Sequence, residues 1–316
     1  MFKEVGKYMK VIVFGGSGFL GSHVADELSN RGYKVLIYDM IESPYTHKDQ
    51  AMIVGDILDR EKLAKFVKEC DYVYSFAGIA GIDDARNNPV HTVETNVLGT
   101  TNILDACRRY CVKRFVFAST IYVYSDLAPF YRSSKQACEL IIEDYQKTYG
   151  LNYTILRYGS LYGRRANHFN YVYQIIQQAL KDGKIVRKGD GQEIRDYIHV
   201  QDAARCSVDI LSEEFKNQYV ILTGSQSIRV KDLLNMIQEI FHDKITVEYR
   251  PDTDPVHYNI TPYSFRPRVA KKIVASSYYD LGQGILDLIY EVYSKSGKHN
   301  KNISSIRKVL EPLDDT

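Results

Sequence analysis

Tryptophan is absent from this 316-residue chain, and only five cysteines and eight prolines punctuate it. The cysteines (Cys70, Cys107, Cys111, Cys138 and Cys206) form no CxxC pair and no zinc-like grouping, which excludes a disulfide scaffold and a zinc-ribbon module. Cys107 and Cys111 have the spacing of one helix face and read as ordinary thiols, so a reducing cytoplasmic compartment is expected. Charge of one sign is lacking too. The 41 Lys and Arg against 39 Asp and Glu leave +2, no electrostatic reason to invoke nucleic acid or an anionic membrane. No apolar run reaches bilayer length. The first breaks into glycines within a few residues, with Asp26 and Glu27 close behind, unlike a signal peptide. Internal repeats and low-complexity tracts are missing as well. Tyrosine is abundant, at 26, and is read as compositional background rather than an aromatic binding platform.

What is present is a core-forming composition, 45% hydrophobic and 25% charged, in a chain long enough for one large domain or two lobes. Residues 1–8, ahead of Met9-Lys10, read as an extension without a role in the fold. Beyond them strands and helices alternate. Strands are expected at 11–14, 35–38, 51–54, 72–76, 115–118 and 153–156. Helices are expected at 59–68, capped by Asp59, from Pro89 through Asn96 to Arg109, and at 132–148. Such β-α alternation with β-branched runs predicts an α/β protein with a doubly wound parallel sheet. After Arg164 the rhythm changes. A helix near 172–180, a Gly189-Asp190-Gly191 turn and four later prolines predict a smaller α/β substrate lobe over 164–296, followed by a polar tail at 297–316.

The densest signal is Val11-Ile12-Val13-Phe14 running into Gly15-Gly16-Ser17-Gly18-Phe19-Leu20-Gly21 and then a helix. Glycines permit a tight turn and close approach to phosphate, and a helix N-terminus offers N–H groups to an anion. That is the cradle of a dinucleotide pyrophosphate. Asp39 ends the second strand, where a carboxylate accepts from both ribose hydroxyls and repels a 2′-phosphate. No Arg or Lys follows at 40–43, so NAD is expected over NADP. Asp56, in Gly55-Asp56-Ile57, suits the adenine amino group or a plain helix cap.

Thr120 closes the fifth strand, and Tyr131 and Lys135 stand four apart on one helix face. A tyrosine pKa is about 10, so a phenolate base near neutrality needs about 4 kcal/mol of help. An ammonium ~5 Å away supplies about 3 kcal/mol at an effective dielectric of ~20, and an oxidised nicotinamide adds to it. Thr120 then holds a substrate hydroxyl against the phenolate.

Over about residues 9–210 the chain resembles the extended short-chain dehydrogenase/reductase family, in particular its nucleotide-sugar epimerases and dehydratases. The likeness rests on the glycine motif, Phe76-Ala77-Gly78, Asn96-Val97-x-Gly99-Thr100, Ser119-Thr120-x-x-Val123-Tyr124 and Tyr131-x-x-x-Lys135. It continues through Leu156-Arg157-Tyr158, Tyr162-Gly163 and Gly189-Asp190-Gly191-x-x-x-Arg195-Asp196-Tyr197-x-His199-Val200-x-Asp202. It implies a Rossmann-type NAD-binding domain over 9–163, its sheet completed by segments returning near 195–225. NAD contacts fall on Gly15, Ser17, Gly18, Phe19, Leu20, Asp39, Asp56, Ile57, Phe76, Ala77, Gly78, Asn96, Lys135 and Tyr158. A nucleoside-diphosphate sugar would meet Thr120, Ser160, Asn170 and Arg195, with the Arg195 guanidinium fork on the diphosphate. His199 is expected to be structural. By the same likeness a homodimer would pair the helices near 90–110 and 132–148, with Ile103, Leu104, Ala106, Leu140 and Ile141 as candidates for the interface or, equally, for ordinary core.

Two departures qualify the likeness. Relatives often carry asparagine at the position of Ser160, and they join Thr120 to Tyr131 by a longer, Pro-rich loop than the 11 positions here. The short loop is expected to open the sugar pocket to a larger-than-hexose sugar, a heptose for instance, or to a partner's segment. Ile121-Tyr122 replaces the acidic pair of sugar dehydratases, which disfavours elimination, and the Cys and His of 3,5-epimerisation have no match. What remains is oxidation at C4 of the sugar. The leading expectation is a 4-dehydrogenase releasing a 4-keto sugar, on a GDP-linked or oversized substrate. The alternatives are a 4-epimerase using the same ketone and a non-catalytic NAD-sensing scaffold, which retention of Tyr131 and Lys135 disfavours.

Overall fold

Short apolar runs rich in Val, Ile, Tyr and Phe become strands because both faces of a parallel sheet are buried under helices. In the computed structural model, which describes residues 9–252, 257–264 and 268–295, every strand expected in the first half forms, and only the edge strand Gln50–Val54 is left largely uncovered. The expectations for residues 1–8 and for the tail at 297–316 lie outside the described residues. The chain divides into two compact units. The first comprises the residues up to Tyr158 with Ala203–Leu222 and Tyr263–Ile273. The second comprises Gly159–Asp202, Thr223–Pro262 and the segment from Val274 onward.

The first unit is built on β1 (Lys10–Phe14), β2 (Lys34–Asp39), β3 (Gln50–Val54), β4 (Tyr72–Ser75), β5 (Arg114–Thr120) and β6 (Tyr153–Tyr158). Two returning strands, Gln218–Leu222 and Lys271–Ile273, complete an eight-stranded sheet. Its order is Lys271–Ile273, Gln218–Leu222, β6, β5, β4, β1, β2, β3, with every pairing parallel. The strand order reverses between β1 and β4, and sheets of this kind bind ligands at the carboxyl ends of the strands at such a switch point. The core runs through Ile12, Phe14, Leu63, Val73, Ile103, Leu104, Phe115, Phe117 and Ile155.

Two elements differ from expectation. An additional helix forms at Ile82–Asn87, and the helix after Pro89 is interrupted by a wider π turn at Val93–Leu98 before it resumes at Gly99–Arg109. Cys111 therefore lies beyond the helix end, exposed and at φ +55°, rather than on one face with buried Cys107.

The second unit has three two-stranded ladders: Ser160–Tyr162 with Tyr197–His199, Lys184–Lys188 with Thr246–Arg250, and Ile194–Arg195 with Ile228–Arg229. Helices Tyr171–Asp182, Val230–Ile240 and Leu281–Lys295 bury Val172, Ile176, Leu233, Ile237, Leu288 and Ile289.

Candidate active site

The glycine turn joins β1 to the helix Phe19–Asn30. Gly15 is at φ +78°, and a Cβ there would meet Ala77 N at 2.5 Å. A Cβ on Gly21 would meet Gly15 O at 2.1 Å, so only glycine lets the helix start against the turn. Among the described residues no side chain caps this helix at Gly18, and its first turn holds no acid. Uncapped N–H groups at the positive end of a 12-residue helix suit a pyrophosphate.

Asp39 is tied to the same turn. Its Oδ2 accepts from Ser17 N–H at 3.0 Å and its Oδ1 from Ile41 N–H at 3.4 Å, while the Ser17 hydroxyl donates to Ile41 O at 2.8 Å. A carboxylate has about four acceptor sites, so capacity remains for ribose hydroxyls. Asp56 Oδ1 accepts from Leu58 N–H at 2.9 Å, a turn-forming contact, and Ile57 packs where Gly99 leaves room for it.

At the carboxyl end of β4, Phe76 and Ala77 N–H both donate to Phe14 O, at 2.8 and 3.1 Å. Gly78 follows at φ +154°, where a Cβ would sit 2.6 Å from Asn96 Oδ1 and 3.9 Å from Lys135 Nζ. Asn96 lies in the π turn and clamps this loop. Its Oδ1 accepts from Ile79 N–H at 2.7 Å, and its Nδ2 donates to Ile79 O at 3.1 Å and to Ser134 Oγ at 3.0 Å. A π turn is a frequent mark of a functional site, and here it aims one amide. The Phe76 ring lies 6.4 Å from that of Tyr158, whose hydroxyl hydrogen-bonds Ser207 Oγ at 2.6 Å. Burial raises that phenol strongly, so Tyr158 is a neutral wall, not an acid.

Thr120 and Tyr131 share a hydrogen bond, and Tyr131 is the first residue of the helix Tyr131–Tyr149. Lys135, one turn on, donates from Nζ to Ala118 O at 2.8 Å and lies 4.8 Å from the Phe117 ring centroid. Burial pushes the Tyr131 phenol up, opposed by the Thr120 hydrogen bond. Burial lowers the Lys135 ammonium, against the pull of Cys138 and Glu139. The sequence argument gave Lys135 most of the work of lowering Tyr131. In the structure burial wins at both groups, so a further positive charge is needed for a phenolate near neutrality.

The link from Thr120 to Tyr131 is a short helical turn at Ile121–Tyr124 and the segment Ser125–Phe130. Ala128 and Phe130 adopt φ of +56° and +62°. Such non-glycine conformations cost about 1–3 kcal/mol each and gather at functional sites. Arg132 Nη1 donates to Ser125 O at 3.0 Å and Gln136 Nε2 to Val123 O at 2.8 Å, pinning the link to the helix.

In the second unit, Ser160 hydrogen-bonds Tyr258, and the Arg195 guanidinium lies 4.2 Å from the Tyr258 ring centroid. Tyr258 thus joins two predicted sugar contacts that are far apart in sequence, and no local motif marks it. Asn170 is largely occupied by the fold. Its Oδ1 accepts from Tyr173 N–H at 3.1 Å as a helix cap, and its Nδ2 donates to Leu161 O at 2.7 Å. His199 is buried and stacks on Tyr279 at 4.1 Å. Sequence reading passed over Glu139 and gave no role to Arg157, quoted only within Leu156-Arg157-Tyr158, yet the two form a buried ion pair at 2.6 Å. A signal was available, because Glu139 continues the 131–135 spacing and a charge inside a buried strand requires a partner.

The sequence matches the profile of the NAD dependent epimerase/dehydratase family over residues 11–221. A Methanocaldococcus jannaschii protein provisionally named a UDP-glucose 4-epimerase is 30% identical, the match covering 72% of this chain and 81% of that protein. The UDP-N-acetyl-alpha-D-glucosaminuronate decarboxylase of Bacillus cytotoxicus is 28% identical over 77% of this chain and 83% of its own. Among solved structures, the Thermus thermophilus UDP-glucose 4-epimerase in complex with NAD superposes with a TM-score of 0.75 at 25% identity, covering 90% of this chain and 99% of that one. With the glycine turn and the Tyr131/Lys135 helix both inside the matched span, this chain belongs to the NAD dependent epimerase/dehydratase family.

Proposed function

We propose that the protein is an NAD-dependent 4-epimerase of a nucleoside-diphosphate sugar, with UDP the favoured nucleotide. The observation that carries this reading is the Thr120–Tyr131 hydrogen bond at the end of β5, with Lys135 one turn further along the same helix. The UDP-sugar relatives favour this reading over a net dehydrogenase of a GDP-sugar, the leading expectation from sequence. Oxidation at C4 also suits the decarboxylase relative, because a C4 ketone turns a C6 carboxylate into a β-keto acid.

The residues present fit NAD: an uncapped helix end for the pyrophosphate, the Asp39 carboxylate for the ribose, and Gly78, Asn96 and Tyr158 as walls. NAD, when bound, supplies the hydride acceptor for C4 and a positive ring that favours a nearby phenolate. Thr120 holds the 4-hydroxyl, Tyr131 takes its proton, and Lys135 adds positive charge beside the phenol. Were hydride to return to the opposite face of C4, Tyr131 would give the proton back and the inverted sugar would leave. In the second unit, Arg195 is assigned to the diphosphate, with Ser160 and Tyr258 beside it.

Sugars deuterated at C4 test the reading. An epimerase returns the inverted sugar with its label retained; label accumulating on released dinucleotide beside a 4-keto sugar establishes a dehydrogenase instead.

Cofactor choice gives a second expectation. The Asp39 carboxylate opposes a 2′-phosphate, a like-charge term of about 4 kcal/mol at 4 Å and an effective dielectric of 20. Replacing it by Asp39→Ala should narrow the NAD over NADP preference in kcat/KM by at least about 10-fold. An unchanged ratio would remove Asp39 from the ribose site.

We also assign a homodimer. Ile103, Leu104 and Ala106 are core residues, whereas Leu140 is 58%, Val90 71% and Leu98 50% exposed on the same helical segments. Sedimentation at micromolar concentration should give twice the chain mass; a monomer there rules the dimer out.

A further inference from the structure

Tyr122 belongs to neither the cofactor motif nor the Thr120/Tyr131/Lys135 set, yet it is built into the same corner. Its backbone N–H donates to Thr120 Oγ1 at 3.2 Å, so Thr120 caps the short turn Ile121–Tyr124 and fixes where Tyr122 starts. Its ring stands edge-on to that of Tyr131, with centroids 6.3 Å apart and an interplanar angle of 73°. It is half-buried. Gln136 draws the turn onto the helix through Val123 O, and Arg132 draws the remainder of the link, Ser125–Phe130, onto it through Ser125 O. The large side chain that this link sets against Tyr131 is therefore Tyr122, two positions after Thr120.

Resting on the epimerase reading, we propose that Tyr122 is a specificity-determining residue, a wall that limits the bulk of the substituents flanking the reacting C4. The chemistry follows from place. The 4-hydroxyl lies between Thr120 and Tyr131, and the groups next to it on a pyranose are those on C3 and C5. A rigid phenol ring set against Tyr131, on a residue whose backbone N–H is bonded to Thr120, meets one of these groups first. The short link thus need not leave an open pocket, because an aromatic ring replaces the missing loop. A hydrophobic wall discriminates a one-carbon difference by about 10–200-fold.

UDP-xylose and UDP-glucose differ by the hydroxymethyl group on C5 and are the probes. Tyr122→Ala should raise kcat/KM for UDP-glucose relative to UDP-xylose by at least about 10-fold, whereas Tyr122→Phe, which keeps the ring, should hold the wild-type ratio within about twofold. The NAD dissociation constant and melting temperature confirm that each variant is folded, and Tyr122→Leu replaces the alanine variant if that one is not. Calorimetric binding of the two sugars to NAD-loaded protein gives a readout independent of turnover. An alanine variant that loses rate equally on both sugars, with their binding ratio unchanged, overturns the proposal, since Tyr122 then only supports Tyr131. A phenylalanine variant that shifts the ratio as far as alanine overturns it too. Wild-type protein that binds both sugars but epimerises neither counts against the epimerase reading alone, and the binding ratio still decides Tyr122.

Discussion

Tyr131→Phe is expected to lower kcat by about 10³-fold while leaving the dissociation constant for NAD within a factor of two. The magnitude is that of removing a positioned general base, typically 10²–10⁴. The variant keeps the ring and its packing and deletes only the atom that shares a hydrogen bond with Thr120. The pH profile supplies the sign. Burial holds the phenol above its ordinary value in the unliganded protein, so the reactive phenolate gains population as pH rises. Any cation beside it moves that ascending limb to lower pH. Lys135→Met removes one such cation and should displace the limb to higher pH, whereas Tyr131→Phe should abolish it. Turnover of Tyr131→Phe within tenfold of wild type, with the limb intact, would transfer the base role to another group.

The parts of this site that were legible in the sequence are those governed by local backbone rules. Gly15 and Gly21 announce a turn where an added Cβ would meet neighbouring backbone within 3 Å, and no other residue fits there. Asp39 sits at a strand end whose position follows from the β-branched run before it. Tyr131 and Lys135 declare a shared face by their spacing. What was not legible depends on pairing across the chain. Nothing in Val93–Leu98 marks a π turn, because the extra residue is accommodated by the Asn96 bonds to Ile79 and Ser134. Tyr258 meets Arg195 only through the fold of the second unit. The interface candidates divide for the same reason: helical periodicity identifies an apolar face without saying what covers it, and Ile103 and Leu104 lie in the core while Leu140 is exposed. The Thr120–Tyr131 link was read for its length alone, and the edge-on placement of the Tyr122 ring against Tyr131 depends on how that link folds.

Arg157→Met is expected to cost about 3–5 kcal/mol of folding stability, a large share of the 5–15 kcal/mol typical of a domain. Arg157 is fully buried, and its guanidinium donates to both oxygens of Glu139, at 3.0 and 2.6 Å. It also donates to Arg268 O at 2.5 Å and to the Tyr124 hydroxyl, and lies between the rings of Tyr124 and Tyr219 at 4.6 and 4.5 Å. Removing the cation leaves the Glu139 carboxylate buried with, among the described residues, only Ser119 Oγ, at 2.6 Å, still donating to it. The penalty is therefore that of an uncompensated charge and exceeds the net worth of the pair. Replacing both partners by methionine should restore most of the loss, because a buried pair exchanged for apolar groups of similar volume is often close to neutral. Denaturant unfolding of wild type, both single variants and the double variant closes the cycle, and a coupling of at least about 2 kcal/mol is expected. Additive losses would mean that each residue is held by other contacts. The link to catalysis is positional: Glu139 follows Lys135 by one turn, and Ser119 precedes Thr120 on β5, so the pair anchors both ends of the constellation. In a partly destabilised but folded single variant, kcat should fall with little change in KM, since what shifts is the alignment of Thr120 with Tyr131 and not the hold on the nucleotide.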